Sequence, residues 1–186
     1  GDLMADLSSF ARGDDPLPRG EWVALLPGSK RAKLSIGVPF LLDTADRLAQ
    51  DRPGCRFLLP VAPTTSVAEL LWFAGRENPI AADYRVTVAE LGEGWLLTAA
   101  GTRIELIDRH PAHAALSQCD LALTTVGANT AELGALAVPM IVLVPTQHLE
   151  VMQAWDGGLG LLARLPGLRR LIGVLLTLWR LRHNGL

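Results

Sequence analysis

Apolar positions along the chain fall into two alternating kinds of run. Short runs of strand length occur at Trp22–Leu26, Arg56–Val61, Leu121–Thr124 and Met140–Val144. Between the first two, Leu41, Leu42, Ala45, Leu48 and Ala49 recur at helical spacing and predict a helix over Val38–Gln50. Pro39 is tolerable there only in the first turn, and Arg52-Pro53-Gly54 ends the helix. Ser66-x-x-Glu69 has the form of a capping box and opens another helix, with Leu70, Leu71 and Phe73 as its core positions and Trp72 as packing. The pattern is weak over 75–94, where Asn78-Pro79 marks a turn. Trp95–Thr98 and Thr102–Ile107 flank Ala100-Gly101 as a hairpin or two edge strands. A further helix opens at His110-Pro111-Ala112-His113 and ends near Gln118. Strands apolar on both faces, alternating with helices, predict an α/β fold: a parallel sheet with helices on both faces.

The stretch from Cys119 to Thr146 carries the main candidate site. Its pattern is strand, glycine turn, short helix, strand. Gly127 permits the sharp turn, with an expected positive φ. Asn129 takes the N-cap position, Asn129-x-x-Glu132 fits a capping box, and Pro139 stops the helix. Backbone N–H groups converging at such a turn favour an anion such as phosphate. The competing reading makes Val126–Asn129 an ordinary turn and Glu132 only a cap. A second turn of the same kind, Pro27-Gly28-Ser29-Lys30-Arg31, follows the first strand and adds a hydroxyl and two cations. Two such turns favour a phosphate-bearing ligand, although neither the GxxxxGK[ST] nor the GxGxxG pattern is present.

Composition narrows the class. With 186 residues, 49% of them hydrophobic, the chain can bury one substantial core. A net charge of −2 and 5% aromatic residues argue against a nucleic-acid surface. Cys55 and Cys119 are isolated and read as small buried apolar residues, consistent with a reducing, cytoplasmic setting. Asp14-Asp15-Pro16 reads as a solvated turn, and no metal is assigned. His110, in a loop, and His113, at a helix start, show no evident carboxylate or thiol partner set and read as structural or exposed.

Several of these segments together resemble a known family. LLPGSK, the strand RFLLPVAP and SQCDLALTTVGANTAELGALAVPMIVLVPT are similar to the lipid-A-disaccharide synthase group of glycosyltransferases, and most resemble its cyanobacterial relatives. The resemblance runs from about Trp22 to about Pro166. It implies one half of a GT-B fold, in which two Rossmann-like domains face each other and the C-terminal one binds a UDP-sugar. By position, Gly28, Ser29 and Lys30 would approach the donor diphosphate. Thr125, Val126, Gly127, Ala128, Asn129 and Thr130 would hold the phosphates, Glu132 would reach the ribose hydroxyls, and the His110 loop would lie near the base. Lys30 stands where the synthases usually carry arginine, and TTVGANTAE replaces their SGTATLE-like run.

The implied chemistry is metal-independent hexosyl transfer from a UDP-sugar to a lipid-linked acceptor, with no cofactor. The resemblance assigns 1–20 to a linker from an absent N-terminal domain, 21–160 to the UDP-sugar-binding domain and 161–186 to a basic amphipathic tail. The catalytic base is expected in the absent half, so no catalytic residue is assigned. A UDP-sugar epimerase and a non-catalytic nucleotide-binding or assembly module remain as alternatives. The tail holds five of the 17 cations and no acids after Asp156. Arg169, Arg170, Gly173, Thr177 and Arg180 form a polar stripe on a helical wheel opposite a broad leucine-rich face containing Trp179. That pattern, over 168–182, fits either a membrane interface on the inner face of the plasma membrane or docking against the absent domain. The uncharged run Leu171–Trp179 is far short of the ~20 residues a spanning helix needs.

Overall fold

The computed structural model describes residues 16–86 and 88–144. The Asp14-Asp15 turn, most of the expected 1–20 linker, the end of the 21–160 domain and the basic tail all lie outside the described residues. The described elements run β1 (Glu21–Leu26), α1 (Arg31–Asp51), β2 (Cys55–Pro60), α2 (Val67–Ala74), a 3-10 helix (Pro79–Asp83), β3 (Val88–Gly92), β4 (Trp95–Thr98), β5 (Arg103–Ile107), α3 (His113–Leu116), β6 (Leu121–Thr125), α4 (Asn129–Ala135) and β7 (Met140–Leu143). They form one seven-stranded sheet of order β3-β4-β5-β2-β1-β6-β7. The five strands β5, β2, β1, β6 and β7 pair in parallel. The expected hairpin is present as antiparallel β4 and β5, and β3, within the weakly patterned stretch, adds an antiparallel outer strand. This is the predicted α/β, Rossmann-like arrangement.

Both faces of the sheet are covered, because β1, β2 and β6 alternate apolar side chains to each side. On one face Val23, Leu25, Phe57, Leu59 and Ile104 pack under Leu34, Val38, Leu41 and Leu42 of α1 and Leu70 and Phe73 of α2. On the other, Trp22, Ala24, Leu58 and Ala122 pack against Leu116 of α3 and Leu133 and Leu136. β7 is the outermost strand of the described sheet. Although wholly apolar, it leaves Ile141 49% and Val142 42% exposed, so it is not buried on both faces as expected.

Helix α1 corrects the sequence reading. It begins at Arg31 rather than Val38, and Pro39 lies in its interior. A proline there removes the N–H that would bond the carbonyl four residues back, here Ser35 O. That carbonyl instead accepts from Asn78 Nδ2 at 2.7 Å. The same amide nitrogen donates to Phe73 O at 2.7 Å, and Asn78 Oδ1 accepts from Ile80 N at 3.2 Å. One buried asparagine thus satisfies an orphaned carbonyl in each of two helices and caps the 3-10 helix that follows. The Ser66 cap of α2 is present, with Ser66 Oγ accepting from Glu69 N at 3.1 Å. The Glu69 carboxylate pairs with Arg31 rather than returning to the cap. Trp72, expected to pack, is 42% exposed, with the Arg31 guanidinium 6.0 Å from its ring centre. Leu71 is half-buried rather than a core residue.

Candidate functional site

The sheet order places β1 and β6 side by side while β2 follows β1 on the opposite side. That reversal between β1 and β6 is a topological switch point, and its crevice opens at the carboxyl ends of the two strands. Register aligns Leu25 with Leu123 and Leu26 with Thr124, so the turns that follow emerge side by side. These are the Gly28 and Gly127 turns singled out in the sequence. They are tied directly: Thr125 Oγ1 donates to Pro27 O at 3.3 Å, and Lys33 Nζ donates to Val126 O at 2.9 Å.

The first turn is built on Gly28, whose φ of +100° is a conformation that side chains resist. Ser29 and Lys30 follow on the exposed rim. Lys30 is the N-cap residue of α1; its carbonyl accepts from Lys33 N and Leu34 N at 2.8 and 2.9 Å, and no side chain caps the helix. Arg31, the second cation of the turn, is drawn to the α2 side by Glu69 and lies 5.4 Å from the Phe73 ring centre. Gly37, one turn into the helix, allows α1 to approach this turn closely: a Cβ there would lie 2.5 Å from Pro27 O.

The second turn differs from expectation in three respects. The left-handed glycine of the pair is Gly28; Gly127 is not among the glycines of positive φ. A Cβ there would lie 2.7 Å from Lys33 Nζ, the mobile end of that side chain. Asn129 is not the N-cap. The cap position falls on Ala128, in helical conformation and without a side-chain cap bond, and Asn129 is the first residue of α4. The turn is closed by Thr130, whose Oγ1 and N donate to Gly127 O at 2.8 and 3.2 Å. Finally, Glu132 does not close a capping box: its Oε1 lies 2.8 Å from His113 Nε2. His113, read from sequence as having no carboxylate near it, therefore has one. Helix α4 spans seven residues and ends at Ala135, ahead of Pro139, in a turn where Ala137 takes a φ of 54°.

Thr125, Val126, Gly127, Ala128, Asn129, Thr130 and Glu132 therefore lie at the end of β6 beside Gly28, Ser29 and Lys30 at the end of β1. Two side chains missed in the sequence, Lys33 and His113, join this group. The misplaced start of α1 hid Lys33, since a helix beginning at Arg31 would have put it in the first turn. The His113–Glu132 contact spans 19 positions and depends on α3 and α4 sharing a face of the sheet, for which no local signal exists.

Two concavities lie elsewhere, one of about 630 Å³ at the amino ends of β1, β2 and β5, lined by Asp46, Cys55, Arg56, Arg103 and Glu105. The other, about 850 Å³, lies beside α3 between Leu17, Ile107 and His110. Neither includes the Gly28 or Gly127 turn, and the first is at the wrong end of the strands for a ligand of this fold. Both thiols are free. Cys119 is buried, and that burial, with Asp120 beside it, pushes its thiol up to about 12. Cys55 is only half-buried, and its thiol is raised by burial and by Glu21. Among the described residues, no three His, Cys, Asp or Glu side chains gather as a metal site, and no helix is long and apolar enough to cross a membrane.

No family model matches the chain. A lipid-A-disaccharide synthase of Pseudomonas fluorescens (strain Pf0-1) is 33% identical over 141 residues, covering 75% of this chain and 31% of that protein. The chain is lipid-A-disaccharide-synthase-like. Synthases of the same name from Trichlorobacter lovleyi and Anaeromyxobacter dehalogenans are 28% and 29% identical over 133 and 128 residues, covering 71% and 69% of this chain. This synthase-like chain spans less than a third of the length of these curated relatives. At that length, the likeness concerns one portion of the relatives, and the two glycine turns are the feature of this portion best placed to meet a ligand.

Proposed function

We propose that this chain is the nucleotide-sugar-binding half of a glycosyltransferase that moves a sugar from a UDP-sugar to a lipid-linked acceptor. The observation that carries the reading is the pairing of the Gly28 and Gly127 turns at the β1/β6 switch point. The likeness to lipid-A-disaccharide synthases supports the choice of chemistry. In this reading the backbone of the two turns, with the N-terminus of the 21-residue α1, stabilises the negative charge of the departing diphosphate. Donors fixed before the reaction cost no reorganisation as that charge develops, so this chain's part of the work requires no metal. Glu132 accepts hydrogen bonds from the ribose hydroxyls, with His113 Nε2 holding the carboxylate in place at 2.8 Å. The catalytic base and the acceptor site belong to a partner domain, and the basic 168–182 segment serves the membrane surface or that domain.

Calorimetric titration of the 186-residue chain with UDP, ADP and GDP tests the reading. Preferential, weak binding of UDP is expected, because only one wall of the cleft is present. Equal or absent binding of all three overturns it. The His113–Glu132 pair favours a second reading, a UDP-sugar epimerase, which uses acidic and histidine groups in its cleft. Conversion of a UDP-sugar to its epimer by the chain alone, followed by NMR, would select that reading.

A further inference from the structure

The two concavities away from the glycine turns are parts of one surface, since Trp22, Arg56 and Glu105 line both. Strand register identifies the face. Leu58, in the core beneath α3 and α4, aligns with Glu105, and Glu105 aligns with Trp95. Trp95, Leu97, Arg103, Glu105 and Ile107 therefore share that face, while Leu96, Ile104 and Leu106 belong to the core under α1 and α2. The crossover from β5 to β6 carries only the four-residue α3, which packs with Trp22, Ala24, Leu58 and Ala122. Over β4 and β5 the face stays open: Trp95, Leu97 and Ile107 are half-buried and Arg103 is exposed, whereas Leu96 and Ile104 behind them are fully buried. Two guanidinium groups stand on it, Arg56 at 5.7 Å from the Trp22 ring centre and Arg103 at 4.5 Å from that of Trp95. Glu105 pairs with Arg103 at 2.7 Å, so these three side chains leave positive charge in excess.

The described chain starts on this surface. Pro16, Leu17 and Pro18 line the larger concavity, and Leu17 packs against the adjoining core. Leu17 N donates to Gln118 Oε1 at 2.8 Å, and Pro18 O accepts from Trp22 Nε1 at 2.7 Å. Residues 1–15, outside the described residues, are thus tethered at its edge. Their sequence suits it. Leu3, Leu7 and Phe10 recur at helical spacing with Met4 on the same side, and Asp2 and Asp6 flank them. Ten residues of helix span about 15 Å, more than the two steps of about 4.8 Å from β2 to β4. We infer that residues 1–15 dock on the open β4–β5 half of the sheet, with their apolar side on Trp95, Leu97 and Ile107 and their aspartates towards Arg56 and Arg103. Charge selects this segment over other occupants. The basic 168–182 stretch and the same face of a second copy would each bring further cations to Arg56 and Arg103. The stretch that resembles an interdomain linker is then a seated arm, whether or not the crevice binds a nucleotide.

Hydrogen exchange and hydroxyl-radical footprinting of the full 186-residue chain, both read by mass spectrometry, test the docking. In the parent, amides of 3–11 are expected to exchange at least about tenfold more slowly than an unstructured chain. Leu7→Asp should abolish that protection and raise oxidation of Trp95 severalfold, while the exposed Trp72 is oxidised as in the parent. Leu97→Asp, on the other side of the contact, should release the same amides. Unprotected 3–11 amides in the parent would overturn the proposal, as would Trp95 oxidation that Leu7→Asp leaves unchanged. Trp95 oxidation that rises in Leu175→Asp instead would assign the face to the basic stretch and overturn it. Protection that grows with protein concentration, alongside a dimer in sedimentation, would assign it to a second copy and overturn it too. Should Leu97→Asp not fold, the parent and Leu7→Asp decide the matter, because Leu7 lies outside the described sheet and its cores.

Discussion

Asn78 ties α1 to α2 and caps the 3-10 helix that follows, and its removal gives the sharpest test of the fold. It is 1% exposed and donates to Ser35 O and Phe73 O, both at 2.7 Å, while its own carbonyl oxygen accepts from Ile80 N. Asn78→Ala strips partners from two helix carbonyls and one N–H. Each buried group left unsatisfied costs about 1–3 kcal/mol; since the Ser35 side is only partly buried, we expect a total of about 3 kcal/mol. For a chain of this size that lowers the melting temperature by about 6–12 °C. The Ser35 share exists because Pro39 has no N–H to offer. In a Pro39→Ala background the helix supplies its own donor, so Asn78→Ala should cost about 1 kcal/mol less there. Urea denaturation of the parent, both single variants and the double variant measures this coupling. A cost under about 1 kcal/mol for Asn78→Ala, or the same cost in both backgrounds, would refute the assignment of Asn78 as Pro39's substitute donor.

Other expectations follow from the glycines, the end of α4 and the thiols. Gly37→Ala places a Cβ 2.5 Å from a backbone oxygen; overpacking of about 1–3 kcal/mol should exceed the roughly 1 kcal/mol gain in helix propensity and lower the melting temperature. Gly134→Ala, whose Cβ meets nothing within 4 Å, should raise it. Helix α4 ends with Val138 N donating to Leu133 O and Ala137 N to Gly134 O, the bonding of a Schellman cap with alanine at the left-handed position. Ala137→Gly should therefore stabilise the chain by about 1 kcal/mol in denaturant titration. At pH 8 iodoacetamide should modify Cys55 well before Cys119, as mass spectrometry would show. Since the folded Cys119 thiol is raised from 9.0 to about 12, its contribution to stability is complete below pH 9 and lost as pH rises toward 12. Cys119→Ala should accordingly show a shallower alkaline loss of stability than the parent.

Strands β1, β2 and β6 were legible because each is a short, mainly apolar run bounded by turn residues, and they fall within a residue or so of their expected limits. Helix α1 was misread at its start because proline is normally excluded from helix interiors. Its tolerance depends on Asn78, which lies 43 positions from Ser35 and carries no local mark of the role. The β3 strand was missed because its five residues contain a charged position and end in glycine. At the site, the chain locations of both turns were visible, but their internal geometry was not. Thr130, rather than Asn129, closes the second turn, and Glu132 faces His113 across the α3–α4 surface. Gly127 was expected to be special for its backbone conformation, yet it lacks the positive φ, and the side chain beside it is a lysine 94 positions earlier. Contacts of that range are set by sheet order, which no single stretch of sequence encodes.

The account's central claim is that one ligand-binding crevice lies between the Gly28 and Gly127 turns. Amide NMR of the 15N-labelled chain during titration with UDP tests it most directly. The account predicts the largest shifts at Gly28, Ser29, Lys33 and Gly127–Thr130, with the amino-end concavity around Gln50, Arg56 and Arg103 unaffected. Shifts centred on that concavity, or on the one beside α3, with the two turns unmoved, would contradict it.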